Sequence, residues 1–421
     1  MNKRVLNKRA AWMVTALLLA SPASAETLGE AIAAAYESNP QLAAARARQE
    51  ALAETPEQER ALARPTLLVD GNGGYNRLGY GKSASVTANV ALPIWTGGRV
   101  SSAVRAANGD VAAGEEGLRD TEAAILQGVV SAYAALLYNQ QAVEVARVGI
   151  ERLDTQVAET RARYDLGQAT RTDVAQLEAQ RSTVVANLAD AEGALATAAA
   201  TYRATVGRDA GTLTAEVPPP AALPASRDEA RQAAETANPL VLQQRLAVEA
   251  SGARIDRVRA EGAPSLDLDG AYGRGERLSG GNLHDFSSAG SVGMTLRVPL
   301  LTGGLVSSRV RQAEANNRAE RFLADAAERD ALRGADTAWA MLNAARSRLH
   351  ANIEGLAAAD LALKGVRAEY GFGLRSTVDI LVADQGFRAA ELAVAIARSD
   401  LLVAQAAMLR ATGRLDRNTY R

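Results

Sequence analysis

The stretch VVSAYAALLYNQQAVEVARVGIERLDTQVAETRARY, Val129 to Tyr164, decides the fold. Within it Val129, Leu136, Val143, Ile150, Val157 and Tyr164 recur every seven residues. Leu342, Leu349, Leu356, Leu363 and Tyr370 do the same further on. A strict seven-residue apolar repeat keeps one helical stripe against a partner and imposes left-handed supercoiling. Both seams end alike, on Tyr164, Gly167 and Asp173 and then on Tyr370, Gly373 and Asp379, at one constant offset. The chain is therefore a tandem duplication. Its 421 residues make two halves of one elongated body rather than several separate globules.

Working upstream from the first seam, helical periodicity reaches back to Arg99, which predicts helices over about 99–164 and, after a tight turn at Gly167, about 171–206. At 1.5 Å per residue the longer one measures roughly 100 Å. Ahead of it stands Leu92-Pro-Ile-Trp-Thr-Gly-Gly98, where Pro93 ends a strand ladder, the Gly pair redirects the backbone and Thr96 is available as a helix cap. The two preceding segments, about 66–75 and 83–92, have period two. Val86, Ala88 and Val90 alternate with Ser85, Thr87 and Asn89, and Gly79-Tyr-Gly81 supplies the turn. Their length is close to the ~9–11 residues of a tilted membrane-spanning strand, and Trp95 lies at a strand end where an interfacial aromatic is expected. Earlier still, Thr27-Leu-Gly-Glu30 reads as a capping box opening a helix towards Leu62, with a break at Asn39-Pro40.

The second copy repeats this plan. Residues 26–207 form the first repeat, and 208–225 a Pro-rich linker. Residues 226–414 form the second repeat, with strands at about 265–273 and 288–298 and helices at about 305–370 and 376–411. A short polar tail, 415–421, follows. The fold class is thus mainly α with a small membrane β-barrel contribution: a duplicated helix–hairpin–helix–helix unit with four strands per chain. Four strands cannot close a membrane barrel, because the smallest use eight, and open edges in lipid leave backbone groups unpaired. The strands must be shared between subunits.

The N-terminus carries Lys3, Arg4, Lys8 and Arg9, then an apolar run Ala10–Ala20, then Ala23-Ser24-Ala25. This has the form of a secretory signal spanning 1–25, with the mature chain starting at Glu26. Its removal takes the formal charge from −1 to about −5, and no basic stripe suits nucleic acid. The chain has no Cys, which excludes disulfides, thiolate metal sites, a thiol nucleophile and an N-terminal lipid anchor. No later run of ~18 apolar residues is expected to cross a bilayer as a helix. His284 and His350 have no paired ligand spacing, and no nucleophile–base constellation is present, so neither a cofactor nor enzymatic activity is expected. Gly270-Ala-Tyr-Gly-Arg-Gly275 lies in a strand and its loop, not in the strand-then-helix context of a phosphate loop.

The exported N-terminus, the duplicated unit, the Pro-x-x-Thr-Gly-Gly hinges and the Tyr-x-x-Gly turns followed by Asp together resemble the TolC family of outer-membrane export ducts. The resemblance covers nearly the whole mature chain. It implies a homotrimer with one twelve-stranded barrel in outer-membrane lipid and a helical cylinder in the periplasm. It also implies work alongside a periplasmic adaptor and an inner-membrane transporter of ABC or RND type. Gate residues implied by position are Thr172 and Asp173 in the first turn and Tyr370 and Arg375 in the second, as an Asp173–Arg375 pair and a Thr172–Tyr370 hydrogen bond. Asp379 matches the first position of the family's acidic pore ring. The second position is Val382, with Asp384 nearby. Gly167 and Gly373 mark the expected docking tips. Against this, Asp173 and Asp379 sit where a carboxylate is favourable simply as a helix cap.

Two cargo classes follow from the resemblance: proteins through type I secretion, or small molecules through efflux. The missing lipidation Cys and the opening Thr-Leu-Gly-Glu-Ala-Ile favour the first. A non-conducting periplasmic coiled-coil scaffold is the alternative of another class, and the four amphipathic strands argue against it.

Overall fold

The computed structural model describes residues 25–76, 81–215, 217–278 and 287–420. The expected signal segment up to Ser24, Gly79 and Tyr80 of the first turn, and His284 lie outside them.

The first repeat opens with α1 (Leu28–Ser38), α2 (Pro40–Ala53) and α3 (Thr55–Ala61). Thr27 and Glu30 form the reciprocal capping box: the Thr27 amide donates to Glu30 Oε2 at 2.9 Å, and Thr27 Oγ1 accepts from the Glu30 amide at 3.2 Å. Asn39 caps α2 and Pro40 occupies its first turn, where a missing N–H costs nothing. Pro56 makes a second break that the helical pattern conceals, since proline is equally at home in a first turn.

Strands β1 (Thr66–Asn76), β2 (Gly81–Trp95), β3 (Ser265–Leu278) and β4 (Ser287–Arg297) form one antiparallel sheet in sequential order. Gly81, expected in the turn, is the first residue of β2, and Pro93, expected to end the ladder, lies within β2 opposite Asp267, the register shifting between it and Trp95. The two hairpins meet along β2 and β3, with Val90 opposite Gly270 and Ala88 opposite Tyr272. Register puts Leu67, Val69, Val86, Val90, Tyr272, Val292, Met294 and Leu296 on one face, all exposed. Asp70, Asn89, Thr87, Asp267, Asp269, Thr295 and Arg297 share the other. There Asn89 donates to Asp70 at 2.8 Å and Thr295 to Asp269 at 3.1 Å. Strands β1 and β4 are free edges.

Gly97 and Gly98, with φ of +63° and +86°, turn the chain from β2 into α4 (Arg99–Asp165). Gly303 and Gly304 do the same ahead of α8 (Leu305–Gly371). The left-handed backbone admits glycine readily and little else. Gly97 is also a close approach, since a Cβ there would stand 2.7 Å from Ala263 Cβ. Thr96 does not cap the helix. Gly98 is the N-cap and offers no side chain, so Thr96 contributes only its carbonyl, to the Arg99 amide at 3.1 Å.

Both long helices have 67 residues. Each pairs with its return helix, α4 with α5 (Arg171–Val206) and α8 with α9 (Thr377–Ala411). Helices α6 (Arg227–Ala237) and α7 (Pro239–Arg259) complete the second repeat. α7 packs on both α4 and α8, while α2 and α3 pack mainly on α4. Burial follows from this. Val129, Leu136, Val143 and Val157 of the first seam are buried, whereas Leu349 and Leu356 of the second are half-buried. Phe322, Leu323, Met341 and Leu361 on α8 are exposed.

The main core is a waist around α4, where Leu126, Val130 and Tyr133 meet Leu28 and Ile32 of α1, Tyr202 and Val206 of α5, and Leu409 of α9. Leu415 joins it, so the short tail is docked rather than free. Windows in α4 and α9 are apolar enough by composition to cross a membrane, which corrects the expectation that no such run occurs. Alanine-rich helices built to pack closely reach that composition without entering lipid, and α4 buries half of its window against other helices.

Gly413 sits at φ +66° after α9, and a Cβ there would overlap the Ala237 carbonyl oxygen. Gly413→Ala is expected to cost about 2 kcal/mol or more, from strain plus overlap. Gly193→Ala, with no atom within 4 Å in α5, should leave thermal unfolding unchanged or slightly higher. Melting of the two purified variants in detergent checks the contrast.

Candidate functional site

At the far end from the sheet, both helical hairpins reverse through the same device. Gly167 and Gly373 each adopt φ +74°. The Gln168 amide donates back to Arg163 O at 2.8 Å, and the Leu374 amide to Glu369 O at 3.0 Å, which satisfies carbonyls the helix end would orphan. Thr170 and Ser376 then cap the return helices.

Asp173 and Asp379 are the reciprocal members of those caps. Asp173 Oδ2 accepts from the Thr170 hydroxyl at 2.7 Å and its amide at 2.9 Å. These bonds hold the carboxyl below the usual range, and Thr377 of the other tip adds a smaller pull in the same direction. Asp379 is held down by the Ser376 amide at 2.9 Å and then by its hydroxyl at 2.8 Å. Capping is thus the role that the structure gives both residues within the subunit.

Arg375 turns to its own helix, where Nε donates to Glu369 Oε2 at 2.6 Å. Among the described residues, the Asp173–Arg375 pair and the Thr172–Tyr370 hydrogen bond are not formed within the subunit. The tips are joined instead by Arg163, whose guanidinium lies 4.8 Å from the centre of the Tyr370 ring. Thr172 is exposed. Leu166, Phe372 and Leu374 around the tip glycines are 73%, 82% and 74% exposed, apolar side chains left in water.

Asp384 is not a neighbour of Asp379 on an open surface. It is 2% exposed, and Arg388 Nε stands 2.9 Å from its Oδ2. Arg367 of α8 approaches its other oxygen at 3.6 Å. Gly149 of α4 makes room for this group, since a Cβ there would lie 2.9 Å from Arg388 Cδ. Three helices therefore converge on one buried carboxylate. Sequence periodicity missed it because Gly149, Arg367 and Arg388 are each unremarkable on their own helix. The signal was the spacing of Asp384 and Arg388, four apart on one face. Glu391, one turn on, has its carboxyl pushed up by burial.

Among the described residues no group of three or more His, Asp or Glu is arranged to hold a metal ion. What the arrangement offers is a long paired-helix body with an amphipathic sheet at one end and a capped, partly apolar tip at the other.

The family model described as "Outer membrane efflux protein" matches residues 31–208 and 230–414. The outer membrane efflux protein BepC of Brucella suis is 32% identical over 408 residues, covering 95% of this chain and 88% of that protein. The outer membrane protein TolC of Vibrio cholerae is 26% identical over 424 residues, with 94% and 93% covered. The alkaline protease secretion protein AprF of Pseudomonas aeruginosa is 24% identical over 307 residues, with 72% and 64% covered. Among solved structures, that of CusC shares the fold, with a TM-score of 0.79, 18% identity and 92% of each chain covered. The chain belongs to the outer membrane efflux protein family, the TolC-like channels. It is a non-enzymatic transport protein of the outer membrane, with its helical portion in the periplasm.

Removing Asp384 leaves the Arg388 guanidinium buried among three helices. Asp384→Ala is expected to cost about 3–5 kcal/mol. Denaturant unfolding of the purified protein followed by helix content measures this.

Proposed function

We propose that the chain is the outlet of a type I protein secretion system, a homotrimer that carries proteins from an inner-membrane ABC transporter and its periplasmic adaptor to the exterior. The observation that carries the duct is the sheet. Its exposed apolar face suits lipid, its polar face suits a water-filled lumen, and its two free edges require strands from other subunits. Three copies supply twelve strands. The exposed apolar positions of α8 call for the same neighbours, because α8 is flanked by α7 on one side only, whereas α4 lies between α7 and the pair α2 and α3.

The protein cargo is supported by the absence of a lipidation Cys and by the relative AprF, an alkaline protease secretion protein. Small-molecule efflux is the second reading, favoured by BepC, an outer membrane efflux protein of higher identity.

In the assembled trimer, the proposed latch is the Asp173–Arg375 pair and the Thr172–Tyr370 hydrogen bond, formed between the tips of neighbouring subunits because neither forms within one subunit. Asp379 from each subunit narrows the pore with negative charge, favouring cations. The apolar tips around Gly167 and Gly373 receive the adaptor.

Deleting the gene is expected to remove one or a few proteins from the culture medium, read by comparing the secreted proteome with that of the parent strain. An unchanged secretome together with increased drug sensitivity assigns the duct to efflux. Arg375→Ala is expected to raise single-channel conductance in a planar bilayer several-fold, and unchanged conductance removes Arg375 from the gate.

A further inference from the structure

Glu26 is held at its amide, its carbonyl and both carboxylate oxygens, and neither the sheet, the tips nor the channel explains it. It is 8% exposed. Its amide donates to Thr212 O at 2.7 Å, and its carbonyl accepts from the Thr214 amide at 3.0 Å, a parallel bridge to the linker. The Tyr133 hydroxyl stands 3.0 Å from that carbonyl and 3.0 Å from Thr214 O. Its carboxylate accepts from Tyr202 at 2.8 Å and Arg208 at 2.7 Å on one oxygen, and from the Gly211 amide at 3.2 Å on the other. Tyr133 and Tyr202 are wholly buried, and burial pushes the Tyr133 hydroxyl up to about 12 and raises that of Tyr202 too. Both therefore remain proton donors at any physiological pH. One residue thereby joins α4, α5 and the start of the linker.

The duplication supplies an internal control. Thr27 and Glu30 correspond to Ser226 and Glu229, so the counterpart of Glu26 is Ala225. Arg208 corresponds to Arg414, which pairs instead with Glu229 of the cap at 2.9 Å. Tyr133 and Tyr202 correspond to Trp339 and Met408, which offer no hydroxyl. The slot exists only in the copy where the chain comes in from the N-terminal side. Directly before it stands Ala23-Ser24-Ala25, the small-x-small pattern of a leader cut.

We propose that Glu26, which the expected leader cut between Ala25 and Glu26 makes the first residue, docks in a slot built to receive it. Hydrolysis by a membrane signal peptidase breaks the bond between the Ala25 carbonyl carbon and the Glu26 nitrogen. The hydroxyl of water goes to Ala25 and its hydrogen to Glu26, and the new Ala25 carboxylic acid gives up its proton to solvent while the new amine takes one. The resulting ammonium faces Thr212 O with three donors where the amide had one. Because the scissile nitrogen is already bonded in the docked state and Glu26 is buried, the cut must come before docking. Maturation thus sets the order of events: export, cleavage, then closure of the first repeat onto the linker.

The test has three readouts, none of which depends on the cargo. The intact mass of the protein purified from outer membranes should correspond to a chain starting at Glu26, and any other start overturns the assignment. Glu26→Ala and Glu26→Gln, made in the processed full-length protein, should each lower the melting temperature by about 3 °C or more. Glu37→Ala, an exposed position on α1, should not. Unchanged melting of both Glu26 variants overturns the docking. Finally, uncleaved precursor refolded in detergent should be cut by purified signal peptidase at least tenfold more slowly than precursor held unfolded, and equal rates overturn the order.

Discussion

An unpaired backbone amide or carbonyl in hydrocarbon has no water to turn to, and that constraint governs the architecture. The sheet presents lipid-compatible side chains on one face while leaving both outer strands open. Such an object is unfinished as a monomer. The hairpins hand their strands to glycine hinges, and the hinges set the directions in which the long helices leave the sheet. In the proposed trimer, closing the strands into a barrel would also arrange the helices into a ring and cover the exposed side of α8.

Polar satisfaction organises the helical body as well. Surface pairs such as Arg254–Asp110 and Arg105–Asp256 bridge α7 and α4, but both partners are substantially exposed, so each contributes little. The buried groups weigh more. Asp384 with Arg388 and Arg367 fixes α8 and α9 against Gly149 of α4. The Asn317 amide, seated among α7 residues, donates to Ser251 Oγ at 2.6 Å and to Val248 O at 3.1 Å. Each of these sites ties helices together at a defined height, which an apolar seam of similar side chains would not do alone, since it resists sliding only weakly.

How much of this the sequence discloses depends on the range of the interaction. Heptads, strand alternation and Gly pairs are local, so the buried stripe of Val129, Leu136 and Val143 and the hinges at Gly98 and Gly304 can be read directly. Thr96 misleads because the hinge conformation passes the cap to Gly98. The tip residues are legible as a repeated pattern, but their partners are not. Arg375 has a carboxylate six residues back in Glu369 that competes with the distant one in Asp173. The Asp384 cluster and the Glu26 slot are assembled from residues far apart in the chain, and no periodicity marks them.

Helices α4 and α8 have the same length, and their reversals use the same turn. The depth of the body is consequently written twice, once in each repeat, and each time in an outgoing and a returning limb. A change of length in one limb alone would leave its partner's seam out of step and tilt the rim. Heptads added in all four limbs would deepen it evenly, by about 10 Å for each seven residues, with every side chain keeping its facing. Reach across the periplasm can therefore be adjusted only in quantised steps taken by both copies together, so the duplication that built the chain also restricts how its descendants can be resized.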